Sequence, residues 1–160
     1  MTQRKSTILD KIGLLIPGYR GYVIRDEIRN TDKILRDKLS SLIQQTEKNI
    51  IEHQQQLIKN GEIQSCQEWE IARKSINTIF SKIKNAAYGE SSFFSNSQLK
   101  ENELVEIHAF DLAIAEHISA IFKMVENNIN EIMGAVSVNQ LIKTIDTIII
   151  NRTNFINSFR

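Results

Sequence analysis

Apolar residues recur along this chain every three or four positions and almost nowhere every second one. That spacing lines one face of a helix, whereas a half-buried strand needs strict alternation. Ile8, Ile12 and Leu15 open the pattern over residues 6–15, with Ser6 or Thr7 placed to cap it. Pro17 closes it, because the residue before a proline is pushed out of the helical region.

A long stripe then runs from Tyr22 to about Lys59 through Ile24, Ile28, Thr31, Leu35, Leu39, Leu42, Thr46, Ile50 and Leu57. At 1.5 Å per residue it predicts a helix roughly 55 Å long. Asn60-Gly61 ends it, since both residues tolerate the left-handed conformation of a helix C-terminus. The stripe Cys66, Trp69, Ala72, Ile76, Ile79, Ile83 and Ala87 predicts the next helix, from about Ile63 to Tyr88. Two long helices joined by so few residues fold back as an antiparallel hairpin.

Residues 89–100, GESSFFSNSQLK, read as a loop. Adjacent Phe93 and Phe94 are out of place in a free linker, so the loop is expected to pack. A fourth stripe, from about Glu101 to Met133, uses Leu104, Ile107, Ile114, Ile118, Ile121, Val125, Ile129 and Ile132. Gly134 breaks it. Ser137 is a candidate cap for a last helix from Val138 onward, carrying Leu141, Ile145, Ile148, Phe155 and Phe159. The run Ile148 to Ile150 is β-branched, but its flanks keep the helical period.

The pattern therefore predicts an all-α protein: an up-down-up-down four-helix bundle with a short N-terminal amphipathic arm. Residues 1–21 form the arm and its turn, and residues 22–160 the bundle. A chain of 160 residues is one ordinary domain that buries roughly 70% of its unfolded surface.

Charge narrows the picture. Twenty basic and 19 acidic side chains give a formal net charge of +1, without the basic excess that nucleic acid selects. No run reaches the ~18 apolar residues of a membrane span. Arg4 and Lys5 before Ile8-Leu9 and the run Ile12 to Ile16 look a little like a signal peptide. Asp10 and Lys11 interrupt it and no small-residue cleavage site follows, so it reads as mature chain. The single cysteine, Cys66, allows no internal disulfide, and a reducing cytoplasm is the expected location.

Two charges interrupt the apolar stripes: Asp111 in the fourth long stripe and Arg152 in the last. A charge there is either paired or sits where the bundle opens. Bundle topology brings both to the end where the stretch IPGYRGYVIRDEIRNTDKILR enters the first long helix. That stretch holds the only proline and two of six glycines. Arg25, Arg29, Asp32 and Arg36 follow at helical spacing, with Asp32 in reach of Arg29 and Arg36. Gly18 can supply the positive φ of a type II turn after Pro17, and Gly21 can ease the chain into the helix. Tyr19, Tyr22, Arg25, Arg29, Asp32, Arg36, Tyr88, Asp111 and Arg152 are therefore candidates for binding a partner or an anion. The alternatives are an ion-pair network that ties loop and helix ends together, and a turn that fastens the arm. For the tyrosines the functional reading is an exposed docking pair.

The same residues resemble an uncharacterised bacterial all-helical family with an IPGYxGY turn, an arginine-rich stretch and then DKxLR. Here these are Ile16 to Tyr22, then Arg25 and Arg29, then Asp32-Lys33-Ile34-Leu35-Arg36. Tyr88-Gly89 with Phe93-Phe94, and Glu103-Leu104 leading to Phe110-Asp111-Leu112-Ala113, are looser matches. The chain departs at Asn30-Thr31 and Ala115-Glu116-His117. The resemblance implies a helical fold and carries no reaction.

Catalytic patterns are missing. No Glu-x-x-His precedes His53, His108 or His117, so the di-iron site of some bundles is not supported. The histidines read as surface or boundary residues. Cys66 on an apolar stripe reads as a small hydrophobe and Trp69 as core. No phosphate loop, dinucleotide fingerprint or nucleophile elbow occurs. Neither metal nor cofactor is expected. The expected function is non-enzymatic docking of a protein partner by arginines and tyrosines on rigid helices. Weak attachment to a membrane surface through the arm is the alternative, followed by an enzyme of unknown reaction at the same end. Ile34, Ile43 and Ile51, off the main stripe, either widen the core face or make a contact between copies.

Overall fold

A computed structural model describes residues 7–23, 27–85, 100–127 and 133–159. Within them the chain is helical: α1 (Ile8–Leu15), α2 (Ile28–Lys59), α3 (Ile63–Asn85), α4 (Glu101–Asn127) and α5 (Gly134–Asn157). No strand occurs among the described residues. Helix α2 packs on α3 and α4, α5 packs on the same two helices, and α1 lies on α4.

Eight residues are too few for α1 to stand alone in water. Thr7 and Asp10 form a reciprocal capping box at its start. Ile8, Leu9, Ile12 and Leu15 pack into the core, while Leu14 stays 83% exposed. Next comes a turn with Pro17 second and Gly18 third, closed by the Tyr19 amide donating to the Ile16 carbonyl at 3.2 Å. Gly18 has φ +92°, as the type II geometry requires.

Helix α2 begins at Ile28 rather than at Tyr22, as the periodicity suggested. Tyr22 lies outside the helix because it is fixed elsewhere, as described below. The C-terminus of α2 is a Schellman motif. Gly61 takes φ +75°, its amide donates to the Ile58 carbonyl, and the Glu62 amide reaches back to Leu57. Arg36 then lies against the Lys84 carbonyl, Glu47 against Arg73 and Gln54 against the Cys66 carbonyl, so α2 and α3 run antiparallel.

The stripes are rotated slightly from the expected ones. Ile43 is core while Leu42 is half-buried; Ile34 packs at the core edge and Ile51 is exposed. On α5, Ile142 and Ile149 are buried and Leu141 and Ile148 half-buried. Gly134 is the first buried residue of α5, so Ser137 stands inside the first turn and is not the cap. His53 is buried with its ring edge-on to Trp69, so it is no surface histidine. Trp69 itself is core. The expected packing of Phe93 and Phe94 lies outside the described residues.

Candidate functional site

The segment between α1 and α2 is held by side chains from the far half of the chain. Asp111, on the inward face of α4, is the centre. Its Oδ2 accepts from the Tyr19 hydroxyl at 2.6 Å and from the Tyr22 hydroxyl at 2.9 Å. Its Oδ1 accepts from Arg152 Nε, on α5, at 2.8 Å. Arg152 Nη2 stands 3.4 Å from the Tyr22 oxygen, closing a ring of three groups. Asp111 has no exposed surface, and Tyr19, Tyr22 and Arg152 are at most 5% exposed. A buried charge pair persists only where both partners are satisfied, and here two phenols and one guanidinium meet that need.

His108, one turn before Asp111 on the same face of α4, completes the cluster. Its Nε2 accepts the Tyr22 backbone amide at 3.0 Å. Its ring stacks on Tyr22 at 5.5 Å between centroids and meets Tyr19 edge-on at 6.2 Å. An accepting Nε2 assigns the neutral tautomer with the proton on Nδ1. Gly21 makes this approach possible. Its φ is +76°, and a Cβ there would meet His108 Nε2 at 2.7 Å and Leu9 at 2.9 Å. The close approach that requires glycine is thus against His108 and α1, not at the entry to α2.

Electrostatics match the geometry. Burial, reinforced by the Asp111 charge, pushes both phenols well above the ordinary tyrosine range, so they remain donors. Burial, with help from Arg152, holds His108 below its ordinary value, and Asp111 only partly opposes this. Burial likewise raises Asp32, with Arg36 opposing. Asp32 lies 3.2 Å from Arg36 Nε on α2, beside the cluster and close enough for its charge to act on Tyr22.

The structure therefore brings together Tyr19, Tyr22, Asp111 and Arg152, with Asp32 and Arg36 alongside. The exposed aromatic docking pair is not found: both rings are interior, because their hydroxyls are drawn to Asp111. Arg29 is exposed and makes no ion pair among the described residues. Arg25 and Tyr88 lie outside the described residues. His108, read from the sequence as a surface or boundary residue, is 2% exposed and belongs to the cluster. The signal was its spacing, three residues before a buried aspartate on the same stripe. Tyr19, Tyr22, His108, Asp111 and Arg152 are each 5% exposed or less, and together they form a clasp that fastens the segment to α4 and α5.

Nearby, Arg36, Ser40, Ser41 and Gln44 of α2 and Phe80 and Lys84 of α3 border a surface groove of about 310 Å³. Its cations are already engaged: Arg36 with Asp32 and the Lys84 carbonyl, Lys84 over the Phe80 ring at 5.4 Å. Asp37 adds an opposing charge to the rim. Among the described residues no group of three or more His, Cys, Asp or Glu is placed to hold a metal. Nor is any described helix long and apolar enough to cross a membrane. Compared with protein-family models, curated proteins and solved structures, the chain matches none of them.

Proposed function

We propose that this is a non-enzymatic docking protein of the cytoplasm. Its four long helices would form an up-down-up-down bundle whose clasped end presents cationic side chains to an acidic partner. One observation supports the reading. The tyrosines and Arg152 are consumed inside the clasp, whereas Arg20 stands on the surface of the segment that the clasp immobilises, and Arg29 and Arg36 on or near the surface of α2 beside it. Arginines on a rigid base lose little freedom on binding, and their planar fork suits carboxylates.

Arg20 reaches Glu27 only at 3.4 Å with its side chain mostly exposed, a pair worth little in itself. It is therefore available to a competing carboxylate. A family relation to the bacterial proteins sharing the IPGYxGY turn belongs to the same proposal, as does a contact between copies.

Tagged wild-type chain and a variant with Arg29→Ala and Arg36→Ala, both purified from native cells, test the reading. The expected result is a co-purifying acidic protein that the variant loses while its unfolding midpoint stays near that of wild type. Recovery of the same proteins by both forms would remove the docking role. Attachment to membranes through the arm finds less support, because the apolar face of α1 is already spent on α4.

A further inference from the structure

The clasp contains one imidazole, His108, and it sits where a proton does damage. Tyr22 offers its backbone N–H to His108 Nε2. A proton on Nε2 turns that acceptor into a second donor, leaving two N–H groups facing each other at 3.0 Å. The new charge would lie under the stacked Tyr22 ring, in a site closed by Gly21 and Leu9.

Among the described residues, no unused anion faces it. On its own helix, Asp111 already receives Tyr19, Tyr22 and Arg152. From α5, Arg152 adds a like charge. On α2, Asp32 is paired with Arg36. Helix α1 presents Leu9 to the site and carries Asp10 and Lys11 on its exposed side. Among the described residues of the turn, the two phenols face the site, and Arg20 is turned to solvent.

We propose that His108 is an acid-sensitive latch: its protonation releases residues 7–23 from α4 while α2 to α5 remain folded. The division follows from the attachments. Residues 7–23 are held by the clasp, by the apolar face of α1 and by Gly18 against Ile34. The four long helices are held by their own continuous core and do not need the Tyr22 amide bond. Release would uncover two phenols and the apolar side of α1, a surface absent at neutral pH.

The sign is fixed by direction. His108 titrates below its ordinary value of 6.5 in the folded chain. Its contribution is therefore complete above 6.5 and is lost as pH falls from there through the folded value.

Amide hydrogen exchange of the full chain at about pH 7.5 and about pH 5, corrected for intrinsic rates, tests the latch. Peptides covering 8–22 should lose roughly an order of magnitude of protection or more at the lower pH, with α2 to α5 unchanged. His108→Gln supplies a carbonyl acceptor that does not titrate, and in it protection of 8–22 should be independent of pH. Unchanged protection in wild type, or an equal loss in His108→Gln, would overturn the proposal; the latter would pass the role to Asp32. Should the variant not fold, imidazole nitrogen resonances of the native chain decide. His108 Nε2 must gain its proton in step with loss of Tyr22 amide protection, and either change without the other rejects the latch.

Discussion

Two arginines in this protein each bind carboxylates at under 3 Å, in opposite surroundings. Arg152 meets Asp111 inside the molecule, with side chains 4% and 0% exposed. Arg73 meets Glu70 at 2.7 Å and Glu47 at 3.0 Å on the flank of the α2–α3 hairpin, where a quarter to a third of each side chain is in solvent. By distance alone the second centre is the better one, since it is partly bidentate and has two anions. By consequence the order reverses. Water competes for Arg73 and would solvate it if its partners left. Burial keeps water from taking the place of Asp111 beside Arg152, Tyr19 and Tyr22. The difference shows that contact geometry ranks these sites poorly, and that the cost of leaving a partner stranded ranks them well.

The largest effect should come from removing the centre of the buried site. Asp111→Ala removes the carboxylate that a buried guanidinium and two buried phenols share, and about 3–5 kcal/mol of stability should be lost, read from urea midpoints. The comparison is sharpened by Asp111→Leu with Arg152→Leu. If stranding is the cause, this double variant should be clearly more stable than either single one, though it too loses the phenol acceptor. A double variant as unstable as Asp111→Ala would mean that the pair itself supplies the stability.

A second contrast separates the turn at the clasp from the turn at the hairpin tip. Gly21 and Gly61 share a positive φ, +76° and +75°. Around Gly61 a new Cβ would find nothing within 4 Å, whereas at Gly21 it would strike His108 and Leu9. Gly61→Ala should cost about 1 kcal/mol from backbone strain alone. Gly21→Ala should cost roughly 2–4 kcal/mol, since strain adds to displacement of a buried ring. Thermal unfolding measures both, and equal costs would mean that His108 yields freely.

These contrasts bear on what could be read from the chain. The helices were legible because an amphipathic period is written into every turn of them, and Asn60-Gly61 announced its own cap. Asp111 and Arg152 were legible as charges on apolar stripes. The clasp was legible only in outline, as a network or fastening turn at one end of the bundle; its pairings were not, because the other half lies about ninety residues away, beyond any local period. Tyr19 and Tyr22 looked like binding groups since aromatic residues near glycine and proline serve docking and burial equally well. Only the position of Asp111 decides between those roles. The delayed start of α2 has the same origin: Tyr22, expected as its first residue, is held in a buried hydrogen-bond network that overrides local preference. His108 stayed hidden because a lone histidine on a helix face carries no partner in its own sequence neighbourhood.

The smallest effect belongs to the exposed centre, and it gives the comparison a chemical signature. Arg73→Ala should cost under about 1 kcal/mol, and raising salt should shrink even that. Glu70 is held at about 2, first by its hydrogen bond from Arg73 and then by the one from Gln54. A depressed carboxyl contributes stability above its ordinary value of 4.5 and loses it as pH falls toward 2. The gap between wild type and Arg73→Ala should therefore be constant from neutral pH down to about 4.5 and close below it. The clasp should weaken at the other end of the acid range, beginning near 6.5 where His108 ordinarily titrates. Denaturant midpoints collected from pH 7 to 2 would resolve the two windows. A single transition shared by both sites would mean that the hairpin flank and the clasp open as one unit. In that case the separation between buried and exposed centres would not extend to how the molecule comes apart.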